Sequence, residues 1–351
     1  MTFVIGRDAE RTSGAVGHLG NYRALDGSAG AQFHLDLDGP HAVSIVGKRG
    51  YGKSFTLGVI AEALARAPGV APVLIDPMGV FDTLEESAGD DAVSVTVLER
   101  PSVNPETLDP RSWCALVGLD PESGAGGLLW RAAQETATLE AMRAHIDSAD
   151  APRSDVRAAN NHLNLASSWG VFESDGVAVP DLSGSDVTVI DVSGMDAAPM
   201  NAICRGVAET LYGARVTDSI ERLPWLMVDE AHTFFDGVAG PALETILTRG
   251  RAPGVSLVMA TQRPGSVPEV GLSQSDIILS HRLTSRADLE ALERARPTYM
   301  NTTLENRMPD APGDVVVIDD ATETTHAGRI RPRETPHGGE SPRASDVFPA
   351  E

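Results

Sequence analysis

The sequence predicts an α/β fold in which helices flank a mostly parallel sheet, with one α-helical insertion. Two observations support this prediction. Eight short apolar runs recur from residue 41 onward, and most of them lack polar alternation, which is typical of strands buried on both faces of a parallel sheet. Longer helical stretches separate these runs, as in successive β-α-β units. The predicted strands cover residues 41–46, 71–76, 93–98, 187–192, 225–229, 255–260, 277–280 and 314–318.

The two ends of the chain differ in composition from the middle. Residues 1–40 are rich in Gly, Asp and polar residues, and the alternating stretch 32–38 is a weak strand signal. We therefore expect a short β-rich segment over 1–40 and a core over 41–331. Residues 332–351 are rich in Pro, Gly, Ser and charge, so they predict a flexible C-terminal tail.

A long helical stretch, about residues 105–170, separates the third and fourth predicted strands. Its apolar residues recur at a helical spacing, which indicates one buried face. We interpret the stretch as a packing insertion without chemistry of its own. The residues on this face are Leu128, Ala132, Leu139, Met142 and Ile146.

Composition excludes several classes of protein. The 351 residues are 42% hydrophobic and 22% charged, so the chain can bury a full core. No apolar run approaches the roughly 20 residues that cross a membrane, and no signal peptide begins the chain, so we expect a cytoplasmic protein. Cys114 and Cys204 lie far apart, which favours two buried thiols over a disulfide or a metal site.

The chain is strongly acidic, with 50 acidic and 28 basic residues and a net charge of -22. Its only lysines are Lys48 and Lys53. An acidic, lysine-poor surface favours solubility in high salt, so we expect a halophilic source, with a high-GC genome as the alternative reason for the arginines. The acidity argues against a broad DNA-binding surface but allows a local basic channel.

Residues 47–54 read Gly-Lys-Arg-Gly-Tyr-Gly-Lys-Ser, the G-x-x-x-x-G-K-S pattern, between an apolar strand and a helical run. Glycines let backbone N–H groups turn inward and hold phosphates at a helix N-terminus. Lys53 would reach the β- and γ-phosphates, and the Ser54 hydroxyl would ligate Mg²⁺. The segment predicts a site for ATP and Mg²⁺ formed by Gly47, Lys48, Arg49, Gly50, Tyr51, Gly52, Lys53, Ser54 and Phe55.

Two carboxylates, Asp229 and Glu230, follow the apolar strand 225–229. We expect Asp229 to hold Mg²⁺ through water and Glu230 to orient and deprotonate the attacking water. With Ala231 and His232 they also spell the second motif of the DEAH-box helicases. Those enzymes need a second RecA-like domain, for which this chain has little room, so we interpret His232 as a local structural residue.

A polar amide, Gln262, follows the next predicted strand and is a candidate sensor of the γ-phosphate. Residues 245–268 contain no acidic residue but include Arg249, Arg251 and Arg263. An arginine from a neighbouring subunit would stabilise charge on the γ-phosphate, while helix capping or carboxylate pairing is an equal alternative. Further arginine clusters are Arg282 with Arg286, and Arg329 with Arg331 and Arg333.

Taken together, these motifs resemble the HerA/FtsK superfamily, and HerA-like ATPases with archaeal members are the closer match. The resemblance implies a RecA-like P-loop NTPase core over about residues 40–330. The matching segments are residues 47–54, 75–77, 226–230, 249–255, 260–264 and 280–284.

The resemblance implies a homo-hexameric ring that moves double-stranded DNA through its pore in repair or end resection, with ATP between subunits. By matching motif, Gln262 would be the sensor, and Arg251, in preference to Arg249, would act on the neighbour's nucleotide. HerA proteins also carry an N-terminal β-barrel and a NurA-like nuclease partner, whereas only about 40 residues precede this core. The alternatives are a viral or plasmid ATPase for DNA packaging or conjugation, or an ATP-binding switch or scaffold.

Overall fold

The computed structural model describes residues 3–8, 10–24, 27–86, 92–295 and 304–338. Within these ranges the chain forms a single large sheet with helices around it. The strands are β1 (Phe3–Ile5), β2 (Val16–Arg23), β3 (Ala29–Asp36), β4 (Ala42–Val46), β5 (Val70–Asp76), β6 (Val95–Leu98), β7 (Val187–Asp191), β8 (Leu223–Val228), β9 (Ser256–Thr261), β10 (Ile277–Ser280), β11 (Asp314–Asp319) and β12 (Thr324–Ile330).

Helices connect most of the strands, and short 3₁₀ turns cover 82–86, 105–107, 264–266 and 304–307. The α-helices are α1 (Lys53–Leu64), α2 (Pro110–Leu116), α3 (Gly124–Glu135), α4 (Leu139–Ser148), α5 (Arg153–Ser168), α6 (Val179–Leu182), α7 (Ala197–Val216), α8 (His232–Phe235), α9 (Gly240–Arg249), α10 (Glu269–Ser273) and α11 (Arg286–Arg294).

The strand order is β1-β3-β2-β12-β11-β10-β4-β9-β8-β5-β7-β6. Every pair of neighbouring strands from β10 to β6 in this order is parallel, whereas β10 is antiparallel to β11. Each strand predicted from the apolar runs is present, as β4 to β11, and the α/β prediction of a mostly parallel sheet is confirmed. Strands β5 and β9 are buried along their whole length, as the absence of polar alternation predicts.

The N-terminal strands extend the same sheet. Strand β12 pairs antiparallel with β11 and β2, β2 pairs with β3, and β3 pairs with β1. Little in the sequence points to β2 because glycines interrupt it. Gly20 is required there, because a Cβ would lie 2.0 Å from the carbonyl oxygen of Arg329 on the paired strand. The segment expected over residues 1–40 therefore continues the sheet of the core on the side where neighbouring strands are antiparallel.

The stretch from α2 to α5 packs around a hydrophobic cluster of its own, which includes Trp113, Leu128 and Met142. The sequence pattern places residues 128–146 on one helical face, but the structure divides them between α3 and α4. A separate helix, α4, begins after Thr138, because the Thr138 hydroxyl caps its N-terminus by accepting a hydrogen bond from the backbone N–H of Ala141. Both helices still direct their apolar sides into the same cluster.

The structure corrects the predicted flexible tail over its first part. Residues 332–338 pack on α1, where the Arg333 side chain is 1% exposed and Thr335 is buried. Glu62 of α1 is fully buried and accepts hydrogen bonds from the Glu334 and Thr335 backbones. A buried carboxylate needs such partners, and this requirement holds the segment in place. The rest of the predicted tail, 339–351, lies outside the described residues.

Both cysteines are free and buried, in agreement with the interpretation of Cys114 and Cys204 as packing residues. Within the part of the chain that the structure describes, no helix combines the length and the apolar character needed to cross a membrane.

Candidate functional site

Several of the predicted site residues meet at one edge of the sheet. The phosphate loop follows β4, Gln262 follows β9, the two carboxylates follow β8, and Asp76 ends β5. These four strands are neighbours in the order β4-β9-β8-β5, and all run in the same direction. Their carboxyl ends therefore share one edge, where open α/β sheets bind ligands.

The phosphate loop is anchored to the segments beside it. The backbone N–H of Lys48 donates to the Arg282 carbonyl at 2.8 Å, and that of Gly313 donates to the Tyr51 carbonyl at 3.3 Å. Gly52 precedes α1 with φ +104°, a conformation that side chains disfavour. The loop thus ends at the N-terminus of α1, where its N–H groups and the helix dipole attract phosphate.

A buried histidine, His281, packs against the phosphate loop. A Cβ on Gly47 would lie 2.5 Å from the His281 Cβ, so only glycine fits there. The Thr56 hydroxyl lies 2.9 Å from His281 Nε2. Burial, and then the charge of Lys53, lower the pKa of His281 to about 3, so the ring is neutral. The sequence shows His281 after an apolar strand, but only the pairing of β10 with β4 reveals this role.

Lys53 and Ser54 face the two carboxylates. The Ser54 hydroxyl donates to Asp229 Oδ2 at 2.7 Å. Burial lowers the pKa of Lys53, and the charges of Glu230 and Asp229 oppose that effect. Lys53 is only 5% exposed, and its ammonium lies 3.5 Å from the Lys48 carbonyl. The arrangement holds a cationic group beside two anionic ones in a site shielded from water.

Asp229 has the properties of a metal-binding carboxylate. It is fully buried, and burial raises its pKa to about 6, while the hydrogen bond from Ser54 opposes that rise. A buried carboxylate of this kind is stabilised by a cation. An Mg²⁺ ion bound to a nucleotide takes one or two protein oxygens, together with phosphate oxygens and water. The Ser54 hydroxyl and the Asp229 carboxylate fit that donor set.

Glu230 occupies a strained and polar position. Its φ is +46°, and its backbone N–H donates to Asp229 Oδ1 at 2.9 Å. Burial raises the pKa of its carboxyl, opposed first by Lys53 and then by a hydrogen bond from the Gln262 backbone. Its Oε2 is buried without a hydrogen-bond partner among the described residues. One carboxylate oxygen can therefore accept a proton from a ligand or a water molecule.

His232 contacts Glu230, which the sequence does not reveal. Its Nδ1 lies 3.4 Å from Glu230 Oε2 and 3.2 Å from the Thr261 hydroxyl. Burial lowers the pKa of His232, and the nearby charge of Arg263 lowers it further. Both effects favour the neutral ring, which packs beside the carboxylate at the ends of two neighbouring strands.

Gln262 and Arg263 lie at the same edge as Glu230. Gln262 is half-buried, and its backbone contacts the Glu230 carboxylate. Arg263 is exposed, and its charge is among the weaker effects that oppose the rise in the pKa of Glu230. Arg263 therefore stands beside the site of its own chain, whereas the sequence only grouped it with Arg249 and Arg251.

Arg251 lies away from this edge. It lines a cavity of about 480 Å³ together with His41 and Asp276, which precede β4 and β10. The phosphate loop follows the other end of β4, so Arg251 and its chain's own loop lie at opposite edges of the sheet. Arg249 and Arg251 are both exposed, without an ion pair in the described ranges.

The remaining arginine clusters are paired within the chain. Arg282 contacts Asp310, and Arg286 lies 3.1 Å from Glu290 on the same helix. In the third cluster, Arg329 lies 3.0 Å from Asp314, while Arg331 and Arg333 lie 2.7 and 3.7 Å from Glu62.

Asp76 organises a loop beside the site. Its carboxylate accepts hydrogen bonds from the backbone N–H groups of Met78, Gly79, Val80 and Phe81. Burial raises its pKa to about 6, and these hydrogen bonds oppose the rise. Because its oxygens accept these hydrogen bonds, Asp76 holds the loop in place at the edge of the site.

The phosphate loop lies within a segment that matches a known family. The family model described as "Helicase HerA, central domain" matches residues 23–209, more than half of the chain. The chain belongs to the HerA central-domain family. The matched segment runs from the end of β2 into α7 and includes the phosphate loop. The family resemblance predicted from the motifs is confirmed.

Two solved structures illustrate the shared fold. VirB4 of Thermoanaerobacter pseudethanolicus superposes with a TM-score of 0.69 at 17% identity, covering 92% of this chain and 97% of that one. The plasmid coupling protein TrwB, in complex with ADP and Mg²⁺, gives a TM-score of 0.58 at 13% identity, covering 85% and 86%. At these identities the likeness establishes a common P-loop NTPase fold. None of the curated proteins matches the sequence.

Proposed function

We propose that this chain is an ATPase that drives double-stranded DNA translocation as a homo-hexameric ring. The observation that carries the proposal is the convergence of Lys53 and Ser54 on Asp229 and Glu230 at the end of four parallel strands. A phosphate loop alone would support binding. A second carboxylate, with a buried oxygen that has no hydrogen-bond partner in the described ranges, supports hydrolysis as well.

Each residue has a distinct task in this proposal. Lys53 and the loop N–H groups bind the β- and γ-phosphates, and Ser54 and Asp229 would hold Mg²⁺. That ion would supply positive charge against the phosphates. Glu230 accepts the proton of the attacking water, and Gln262, adjoining Glu230, responds to the γ-phosphate.

The position of Arg251 supports the proposed ring. Arg251 is at the sheet edge opposite its own phosphate loop, which favours a role at the nucleotide of a neighbouring copy. An arginine that acts in trans stabilises charge on the γ-phosphate and links hydrolysis to assembly. The proposed role in DNA repair and the proposed nuclease partner of the NurA type rest on the resemblance to HerA-like ATPases.

A motor for plasmid conjugation is the second candidate. It is favoured by the similarity to the structures of VirB4 and of the plasmid coupling protein TrwB. A motor that loads at broken ends should respond to linear but not to closed circular duplex DNA. A conjugation motor should respond to both.

The deciding experiment is ATP hydrolysis by the purified protein at high salt, with and without linear duplex DNA. We expect severalfold stimulation by DNA and no hydrolysis by Lys53→Ala, the matched control. Hydrolysis at the same rate with and without DNA would contradict the motor function and support a nucleotide switch or scaffold. Absence of hydrolysis in the wild type would contradict the ATPase assignment itself.

A further inference from the structure

Residues 331–338, here called the C-terminal strap, cross α1 beside the phosphate loop. Glu62 of α1 fixes the strap because its Oε1 accepts hydrogen bonds from the Glu334 N–H at 3.0 Å and the Thr335 N–H at 2.9 Å. The Thr335 hydroxyl adds a third hydrogen bond at 2.7 Å, and Arg331 lies 2.7 Å from Glu62 Oε2. A buried carboxylate with this many donors is a strong anchor.

Helix α1 is shaped to receive the strap. The Arg333 guanidinium lies against Gly58, where a Cβ would be 2.8 Å from the guanidinium carbon. A glycine within a helix is less stable than an alanine, and the close crossing explains its presence. Further along, the Thr83 hydroxyl donates to the Pro336 carbonyl at 3.0 Å. The strap is thus fixed at both ends.

A cavity of about 430 Å³ separates the strap from the phosphate loop. Gly50, Gly52 and Phe55 form the wall on the loop side, and Arg331, Pro332 and His337 form the wall on the strap side. The rings of Phe55 and His337 meet edge to face with centroids 5.5 Å apart. The volume lies within the range of small-molecule sites, roughly 300–1,000 Å³.

The position of this cavity indicates its ligand. The phosphate loop holds the phosphates at the N-terminus of α1, and Phe55 is the residue directly after Ser54. Because the cavity adjoins the loop at Gly50, Gly52 and Phe55, the ribose and base of a nucleotide whose phosphates occupy the loop would extend into it. A planar base fits an aromatic and proline wall, because flat rings stack well on such surfaces.

We propose that this cavity receives the base and ribose of the nucleotide, and that the C-terminal strap is the wall that recognises them. This inference rests on the proposed nucleotide site. It adds a residue-level prediction: His337, which lies outside every motif in the sequence, contributes to the affinity for nucleosides and not for phosphates.

The test compares ATP with tripolyphosphate, which has phosphates but no nucleoside, each with Mg²⁺, by titration calorimetry. His337→Ala should weaken ATP binding about two- to tenfold, as expected for one lost aromatic contact. Its affinity for tripolyphosphate should match that of the wild type. His145→Ala on α4, the matched control, should change neither affinity.

The outcomes separate this inference from the proposed function. If the wild type binds neither ligand, the nucleotide site itself is wrong. If it binds both and His337→Ala leaves ATP binding unchanged, the strap does not recognise the nucleoside. Equal weakening of both ligands would also overturn the inference, because the strap would then act on the phosphate loop.

A second measurement uses the unmodified protein. Photolysis with 8-azido-ATP should label peptides that contain Phe55 or residues 331–338, and excess ATP should prevent the labelling. Labelling confined to other peptides, with the same competition by ATP, would place the base elsewhere and overturn the proposal.

Discussion

Glu230 combines an uncommon backbone conformation with a buried carboxylate. A left-handed φ of +46° on a glutamate costs on the order of 1–3 kcal/mol, and such strain is found mainly at functional sites. The conformation lets the Glu230 N–H reach Asp229 while its carboxylate meets the Gln262 backbone. This geometry places a proton acceptor beside the proposed metal ligand.

We therefore predict that Glu230→Gln retains ATP binding but loses about 10²- to 10⁴-fold in hydrolysis rate, the usual contribution of a general base. The amide has the same shape but cannot accept the proton of water. Steady-state hydrolysis and calorimetric ATP binding, measured side by side, check the prediction.

Glu140→Gln, an exposed position on α4, is the control for Glu230→Gln and should hydrolyse ATP at the wild-type rate. Hydrolysis by Glu230→Gln within a factor of a few of the wild type would show that another group takes the proton.

At the residue scale, the sequence predicts what a local motif specifies. Lys53 and Ser54 lie within one continuous pattern, so their roles follow from spacing alone. His281 and Arg263 could not be assigned in this way. His281 supports the loop only because β10 pairs with β4, and no local pattern encodes that pairing.

Helix α1 shows how one element is adapted to another. A methyl group on Gly58 would meet the confined Arg333 side chain, whereas one on Gly213 of α7 would have nothing within 4 Å. We predict that Gly58→Ala destabilises the protein by about 1–3 kcal/mol through overpacking. Gly213→Ala should stabilise it by up to about 1 kcal/mol, since alanine favours helix.

Urea unfolding of the two glycine variants and the wild type checks this pair. Because the substitution is the same, the difference in sign isolates the contact with Arg333. An increase in stability for Gly58→Ala would show that the strap does not press on α1.

A buried ion network connects the N-terminal strands to the core. His41, just before β4, lies 2.7 Å from Asp276 and 3.4 Å from Asp36 at the end of β3. Burial alone would lower the pKa of His41, but the hydrogen bonds to these two carboxylates raise it from 6.5 to about 9. The charged imidazolium therefore stabilises the folded state.

The pKa of His41 is higher in the folded than in the unfolded chain, so its stabilisation is complete below about pH 6.5 and disappears as the pH rises through about 9. The loss is at most on the order of 3 kcal/mol, at about 1.4 kcal/mol per pKa unit. Urea unfolding between about pH 6 and pH 9.5 should show this decline. In His41→Gln, the free energy of unfolding should decline less over the same pH range. A decline equal to that of the wild type would exclude His41 as its source.

At the element scale, burial on both faces makes parallel strands such as β5 and β9 recognisable in the sequence as continuous apolar runs. Strands β2 and β12 are not recognisable in this way. Both lie at the antiparallel edge, carry mixed polar and small residues, and pair across more than 300 residues, as Gly20 does with Ile330. Only tertiary pairing defines them.

At the scale of the whole molecule, the sheet separates two sets of charges. The phosphate loop and the carboxylates occupy one edge, and Arg251 lies at the other, in the cavity with His41 and Asp276. A single copy cannot bring both sets to one nucleotide. Copies arranged head to tail in a ring can do so, because each interface then joins the phosphate-loop edge of one copy to the Arg251 edge of the next.

This arrangement predicts complementation between two inactive variants. Arg251→Ala and Lys53→Ala should each lose hydrolysis, the first for lack of the trans arginine and the second for lack of phosphate binding. In mixed rings, an Arg251→Ala subunit keeps an intact phosphate loop and receives Arg251 from a Lys53→Ala neighbour. Mixing should therefore restore part of the hydrolysis rate, while Arg286→Ala, an arginine that is 93% exposed, should be active unmixed. If mixtures stay inactive while Arg249→Ala mixtures recover, the trans arginine is Arg249. If neither recovers, no arginine of this pair acts between subunits, and the ring must complete its site in another way.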